Sequence, residues 1–129
     1  MDKIRKIVCN DAPSAIGPYS QAVSAGPFVF VSGQIPLDPR TGNIVDEGIR
    51  EQSSAVIENA EKILRSEGLS LDAVVKTEVF LSDLRDYEEM NEIYSAKFNG
   101  KVKPARVVVE VSKLPRGVRI ELSCVAYRE

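Results

Sequence analysis

The residues best suited to chemistry in this chain are an arginine and a glutamate in its C-terminal quarter, Arg106 and Glu121. Arginine presents a planar fork of N–H donors that grips a carboxylate through two parallel hydrogen bonds, and a glutamate can orient or deprotonate a water. Together they describe hydrolysis of a small acid. The same residue types also form plain cross-strand ion pairs on exposed sheet faces, and spacing alone favours that reading. The chain has no histidine, which removes Ser-His and Cys-His nucleophile pairs and the commonest base at neutral pH. Its two cysteines, Cys9 and Cys124, form no CxxC pair, so the usual zinc frameworks are missing and no metal site is expected. Proton transfer falls to carboxylates, tyrosine, lysine or water.

Two strands must hold this pair. Residues 105 to 111 and 118 to 127 alternate in character, and residues 112 to 117 read as the turn between antiparallel partners. The first strand is expected to bury Ala105, Val107, Val109 and Val111, leaving Arg106, Val108 and Glu110 on the other face. The second should bury Ile120, Leu122, Cys124 and Ala126, leaving Arg119, Glu121, Ser123 and Val125. A turn centred on Leu114 and Pro115 sets Glu110 opposite Arg119, Val108 opposite Glu121, and Arg106 opposite Ser123. Arg106 and Glu121 then sit diagonally on the face away from the helices, with Cβ atoms about 7 Å apart or somewhat more.

Upstream, Ile4 to Val8 is a strand candidate, and residues 20 to 24 and 28 to 32 flank Ala25-Gly26-Pro27 as a hairpin. Phe28-Val29-Phe30-Val31 is apolar on both faces and should be central. A helix over residues 48 to 67 places Ile49, Val56, Ala60, Ile63 and Leu64 inward, with Gly68 as its stop. Residues 73 to 81 alternate, with Val75, Thr77, Val79 and Leu81 on one face. A second helix begins near Ser82-Asp83, carries Leu84, Tyr87, Met90, Tyr94 and Phe98 inward, and ends at Gly100. The expectation is one α+β domain over residues 1 to 129, a mainly antiparallel mixed sheet with two helices packed on one face.

The totals agree with a single small scaffold. Across 129 residues, 43% hydrophobic and 28% charged is an ordinary globular composition, and no apolar run approaches the roughly 20 residues that span a bilayer. Residues 1 to 6 alternate charged and apolar side chains, unlike a secretory signal, and two isolated cysteines suit a reducing compartment, so a soluble cytoplasmic protein is expected. The net charge of -2 argues against reliance on nucleic-acid phosphates.

Four segments carry a resemblance: IGPYSQAV (residues 16 to 23), VSGQIPLDPRTG (31 to 42), DYEEMNEIYSAKF (86 to 98) and PARVVVEVSKLPRGVRIELSCVAY (104 to 127). In order and spacing they are similar to the signature blocks of the RidA (YjgF) family of imine/enamine deaminases, over essentially the whole chain. The resemblance implies a chorismate-mutase-like fold, a homotrimer with clefts between adjacent subunits, and cofactor-independent hydrolysis of 2-imino acids to 2-keto acids and ammonia. By position it makes Arg106 the clamp for the substrate carboxylate and Glu121 the acid beside the hydrolytic water. Tyr19, Ser32, Gly33, Asn91 and Tyr94 become pocket residues. Many members have cysteine two residues after the arginine, where this chain has Val108. Without the resemblance, Tyr19 packs a turn, Ser32-Gly33 ends a strand, Asn91 is solvated and Tyr94 is core. Two other functions fit the family, an RNA-directed translation inhibitor with ribonuclease activity and a non-catalytic module binding carboxylates or partner proteins.

Overall fold

The computed structural model describes residues 3–129; Met1 and Asp2, the start of the expected first strand, lie outside the described residues. Six strands, β1 (Ile4–Ile7), β2 (Ala22–Ala25), β3 (Phe28–Gln34), β4 (Val74–Leu81), β5 (Ala105–Glu110) and β6 (Ile120–Tyr127), form one sheet in the order β1-β2-β3-β6-β4-β5. Helices α1 (Ile49–Arg65) and α2 (Tyr87–Lys97) pack side by side on one face of it. This is the single-domain chorismate-mutase-like α+β fold that was expected. All pairings are antiparallel except β4 with β5.

The core lies between helices and sheet. Alternate residues of each strand meet Val56, Ile57, Ala60, Ile63 and Leu64 of α1 and Met90 and Tyr94 of α2. Val29, Val79, Leu81, Ile120 and Leu122 are almost fully buried there, each worth roughly 1.5–3 kcal/mol of apolar transfer. Buried amides tie the loops to this core. Gln21 accepts from the Cys9 amide at 2.7 Å and donates to the Cys9 and Pro13 carbonyls, while Gln52 bridges the Asp46 carbonyl and the Arg119 amide.

The C-terminal strands depart from expectation. β5 and β6 are not a hairpin, because β4 lies between them: Thr77 pairs with Arg106 in parallel, and Phe80 pairs with Glu121 in antiparallel register. A strand–helix–strand crossover, β4-α2-β5, delivers β5 to the edge as a parallel strand. The faces of β5 are also exchanged. Val108 shares its face with Arg106 but packs against the core, whereas Val107 and Val109 turn outward, 40% and 38% exposed. The expected faces of β6 hold. In β4, an irregularity between Val74 and Lys76 puts Val74 in the core and leaves Val75 exposed, contrary to simple alternation. The second helix is preceded by a 3₁₀ turn, Leu84–Asp86, capped by the Asp83 side chain, so Leu84 is exposed.

Phe28 and Phe30 are central as expected, since β3 lies between β2 and β6, yet both rings face away from the helices and are exposed. With Tyr127, whose ring centroid is 5.6 Å from that of Phe28, they form an apolar patch on the outer face, separated by β6 and β4 from the exposed Val107 and Val109 of β5. Among the described residues no helix is long and apolar enough to cross a membrane, and no group of three or more His, Cys, Asp or Glu side chains is placed to hold a metal ion.

Candidate active site

Arg106 projects from the edge strand toward α2, on the helix side of the sheet. Its Nη1 donates to Asn91 Oδ1 at 2.7 Å and its Nη2 to the Tyr87 hydroxyl at 2.8 Å. The guanidinium carbon sits 4.7 Å from the centroid of the Tyr94 ring and 5.7 Å from that of Tyr87, within cation–π range. Residues 87, 91 and 94 fall on one stripe of a helix, so one rigid element fixes the guanidinium through three side chains. Tyr94 is anchored in turn. Its hydroxyl lies 2.7 Å from Thr77 Oγ1, buried on the strand beside Arg106, and its ring stacks on Phe98. Burial pushes the Tyr94 phenol up from its ordinary pKa, which keeps it a neutral partner for the cation. Among the described residues no carboxylate lies within salt-bridge distance of Arg106, which overturns the cross-strand ion pair as its explanation. Two of its five N–H donors are spent on neutral acceptors; the others make no hydrogen bond among the described residues.

Glu121 sits elsewhere. It projects from β6 onto the outer face, as its pairing with Phe80 requires. The β3–β6 register is irregular between Val31 and Gln34, and at that irregularity the Glu121 carboxylate lies over Gly33, so closely that a Cβ at position 33 would collide with it. The absence of a Cβ at Gly33 is what leaves room for the carboxylate in this position. Among the described residues no side-chain hydrogen bond satisfies this carboxylate, and burial raises its pKa above the usual glutamate value. A half-buried carboxylate with free lone pairs and raised proton affinity is a suitable general base.

Ser32, beside Gly33, donates its hydroxyl proton to the Ser20 carbonyl at 2.6 Å, while its amide bonds the Gln21 carbonyl. Tyr19 is exposed in the loop next to Ser20, and its hydroxyl accepts from the Ile16 amide at 3.3 Å. The anticipated residues therefore fall into two sets. Asn91 and Tyr94 gather around Arg106; Ser32, Gly33 and the Tyr19 loop gather beside Glu121. Arg106 and Glu121 do not face one another within one chain, and the diagonal approach expected of them is replaced by opposite faces of the sheet. Sequence reasoning missed Tyr87 and Thr77 as partners, although the spacing of Tyr87, Asn91 and Tyr94 on one helical stripe was a usable signal. The cleft of about 830 Å³ between α1 and the loops near Asn10 and Asp38 contains none of these residues.

A family model described as Endoribonuclease L-PSP matches residues 9–128. A RutC family protein of Pyrococcus abyssi is 55% identical over 123 residues, spanning 95% of this chain and 96% of its own length. The 2-iminobutanoate/2-iminopropanoate deaminase of Mus musculus is 43% identical over 124 residues, spanning 95% of this chain and 91% of the mouse protein. The crystal structure of Escherichia coli TdcF with bound serine superposes with a TM-score of 0.92 at 38% identity, covering 97% of this chain and 99% of that one. Matched in sequence and in fold over nearly its whole length, the chain belongs to the endoribonuclease L-PSP family, the RidA (YjgF) family.

Proposed function

We propose that this protein hydrolyses 2-imino acids, such as 2-iminopropanoate or 2-iminobutanoate and their enamine tautomers, to 2-keto acids and ammonia, in clefts between the subunits of a homotrimer. The observation that carries the reading is the Arg106 cradle: a fixed, exposed guanidinium that lacks a carboxylate partner among the described residues suits a ligand carboxylate. The similarity to the mouse deaminase supports the reaction. The TdcF structure contains serine, a small molecule bearing a carboxylate, which fits the same ligand class.

The opposed faces of Arg106 and Glu121 support a cleft shared between subunits. A second copy that lays its outer face along the β5 edge would bring its Glu121 toward Arg106 and cover Phe28, Phe30, Val107 and Val109. Such a contact joins two different patches, which forms a ring where the rotation between copies closes, and the family resemblance favours closure at three.

In the reaction, Arg106 holds the substrate carboxylate and the imine is protonated on nitrogen. Glu121 takes a proton from water as the water oxygen bonds to the imine carbon, giving a carbinolamine. Protonation of its nitrogen then lets the C–N bond break toward nitrogen, releasing ammonia, while the hydroxyl proton returns to a base and the C=O bond forms. Water and imine are consumed and keto acid and ammonia are formed, so no redox or organic cofactor is required. The two hydroxyls divide by their bonding: Ser32 has spent its proton on Ser20 and can accept from an iminium N–H, and Tyr19 accepts from Ile16 and can donate. The free cysteines Cys9 and Cys124 suit the reducing cytoplasm where such imines arise.

The ribonuclease reading draws its support from the family description and from the names of some similar structures, against a net charge of -2 and the absence of histidine. The deciding experiment generates imines in situ from several amino acids with an amino-acid oxidase, measures accelerated ammonia and keto-acid release, and incubates the same preparation with RNA. Acceleration that Arg106→Ala abolishes, from a particle of trimer mass by light scattering, is expected. Imine decay at the uncatalysed rate, or RNA cleavage that copurifies with the oligomer, overturns the proposal.

A further inference from the structure

Tyr87 has no role among the residues carried over from the family blocks, yet its hydroxyl oxygen accepts a hydrogen bond from Arg106 Nη2 at 2.8 Å. A phenol has one proton and two acceptor lone pairs. One lone pair is now occupied by the guanidinium, and the hydroxyl makes no other hydrogen bond among the described residues, so its own proton is unspent. Asn91 is in the same condition: its Oδ1 accepts from Nη1, and its Nδ2 has no protein partner among the described residues. Around the cradle, the remaining N–H groups of Arg106, the O–H of Tyr87 and the N–H groups of Asn91 all have donor capacity left over. Such a surface suits an anionic acceptor and offers little to an ammonium or a neutral donor.

We infer that the Tyr87 hydroxyl is a substrate-binding group that donates its proton to the same ligand carboxylate that Arg106 clamps, and so selects 2-imino acids over their uncharged amides. This rests on the deaminase reading and specifies which side chains recognise the acid. Tyr87 is 37% exposed, so removing its hydroxyl opens no cavity in the core. Tyr87→Phe keeps the ring near the guanidinium and removes only the donor.

The test titrates pyruvate, a 2-keto acid of the product class, and pyruvamide, its neutral amide, into wild-type protein, Tyr87→Phe and Arg106→Ala by ligand-observed NMR, with imine turnover measured on the same samples. The loss of one hydrogen bond to a charged acceptor predicts pyruvate affinity about tenfold weaker in Tyr87→Phe and a KM raised by a similar factor. Its kcat and melting temperature should match wild type, and pyruvamide should bind both proteins equally weakly. Wild-type pyruvate affinity and KM in Tyr87→Phe, with affinity lost in Arg106→Ala, overturn the role of Tyr87 and leave the deaminase site standing. Equal weakening of pyruvate and pyruvamide also overturns it, because the contact would then not read charge. Pyruvate that binds Arg106→Ala as well as wild type, or binds neither, removes the clamp and both proposals with it.

Discussion

The two halves of the candidate site solve opposite physical problems. Arg106 is a cation held in place by its own chain: one helix supplies an amide oxygen, a phenol oxygen and an aromatic face, and a buried Thr77–Tyr94 hydrogen bond steadies that helix. Glu121 is an anion without such partners among the described residues, half-buried over a glycine with its proton affinity raised. The first half is preorganised to bind and the second is kept reactive. A fixed donor fork loses little freedom when a ligand docks, whereas a carboxylate already satisfied by strong donors would be too weak a base.

The contrast predicts a split in kinetics. Glu121→Gln should lower kcat for imine hydrolysis by roughly 100- to 10,000-fold, the span of a lost general base, with KM little changed. Arg106→Ala should lower kcat/KM by roughly 100- to 1,000-fold, chiefly through KM, while stability moves by no more than about 1 kcal/mol because its hydrogen bonds are exposed. Arg106→Lys should recover only part of that loss, since it restores charge without the fork. Steady-state assays with imine generated in situ read all three. The same change in KM for both positions would break the division of labour.

A second experiment asks whether the halves belong to different copies. Arg106→Ala chains carry an intact glutamate half, and Glu121→Gln chains an intact arginine half. If each cleft takes Arg106 from one subunit and Glu121 from the next, equal random mixing restores a complete cleft at about one position in four. Coexpressed or denatured-and-refolded mixtures should therefore regain about a quarter of wild-type turnover from two nearly inactive parents. Activity that stays at the parental level would overturn a cleft that joins Arg106 of one copy to Glu121 of the next.

Gly33→Ala tests the glutamate half more gently. Its Cβ would meet a flexible side chain and not backbone, and the glycine is absent from the positive-φ positions, so the carboxylate can swing aside without unfolding the strand. Turnover should fall about tenfold through misplacement of the base, with melting temperature nearly unchanged. Full activity in this variant would show that the position of the carboxylate over Gly33 is not the working one.

The arginine half was only partly legible in the sequence, for a definite reason. Alternation along residues 105 to 110 identifies which side chains share a face, and Arg106 with Val108 was grouped correctly, but alternation does not say which face meets the helices. The apolar Val107 and Val109 suggested the core and instead point outward. The pairing of β5 with β6 followed their adjacency and the opposite charges of Glu110 and Arg119. Those charges have other partners, since Glu110 accepts from the Leu84 amide and Arg119 pairs with Asp86. The strand–helix–strand order of residues 74 to 110 held the correction, because a long crossover containing a helix delivers a parallel strand. By contrast, α1, the hairpin of β2 and β3, and the faces of β6 rest on local turn chemistry and periodicity, and they were readable. The crowding of Glu121 against Gly33 depends on a register irregularity in β3, which no short-range pattern announces.

The smallest effect concerns pH and separates the halves by sign. Burial raises the folded-state pKa of Glu121, so the folded protein holds that proton more tightly than the unfolded chain does. Below the unfolded carboxylate range both states are protonated and the residue contributes no penalty. As pH rises through the unfolded and then the folded pKa, the unfolded chain releases its proton first, and a destabilisation grows until both states are ionised. Glu121→Gln removes that penalty, so the variant should be slightly more stable than wild type at neutral pH, and the difference should shrink toward zero as pH falls below the usual glutamate range. Arg106 remains charged across this window, and Arg106→Ala should show no such convergence. Thermal unfolding of the three proteins between acid and neutral pH measures it, with the oligomer confirmed at each pH. A wild-type protein more stable than Glu121→Gln at neutral pH would mean that the folded assembly lowers the pKa of this carboxylate, and that an unrecognised donor satisfies it.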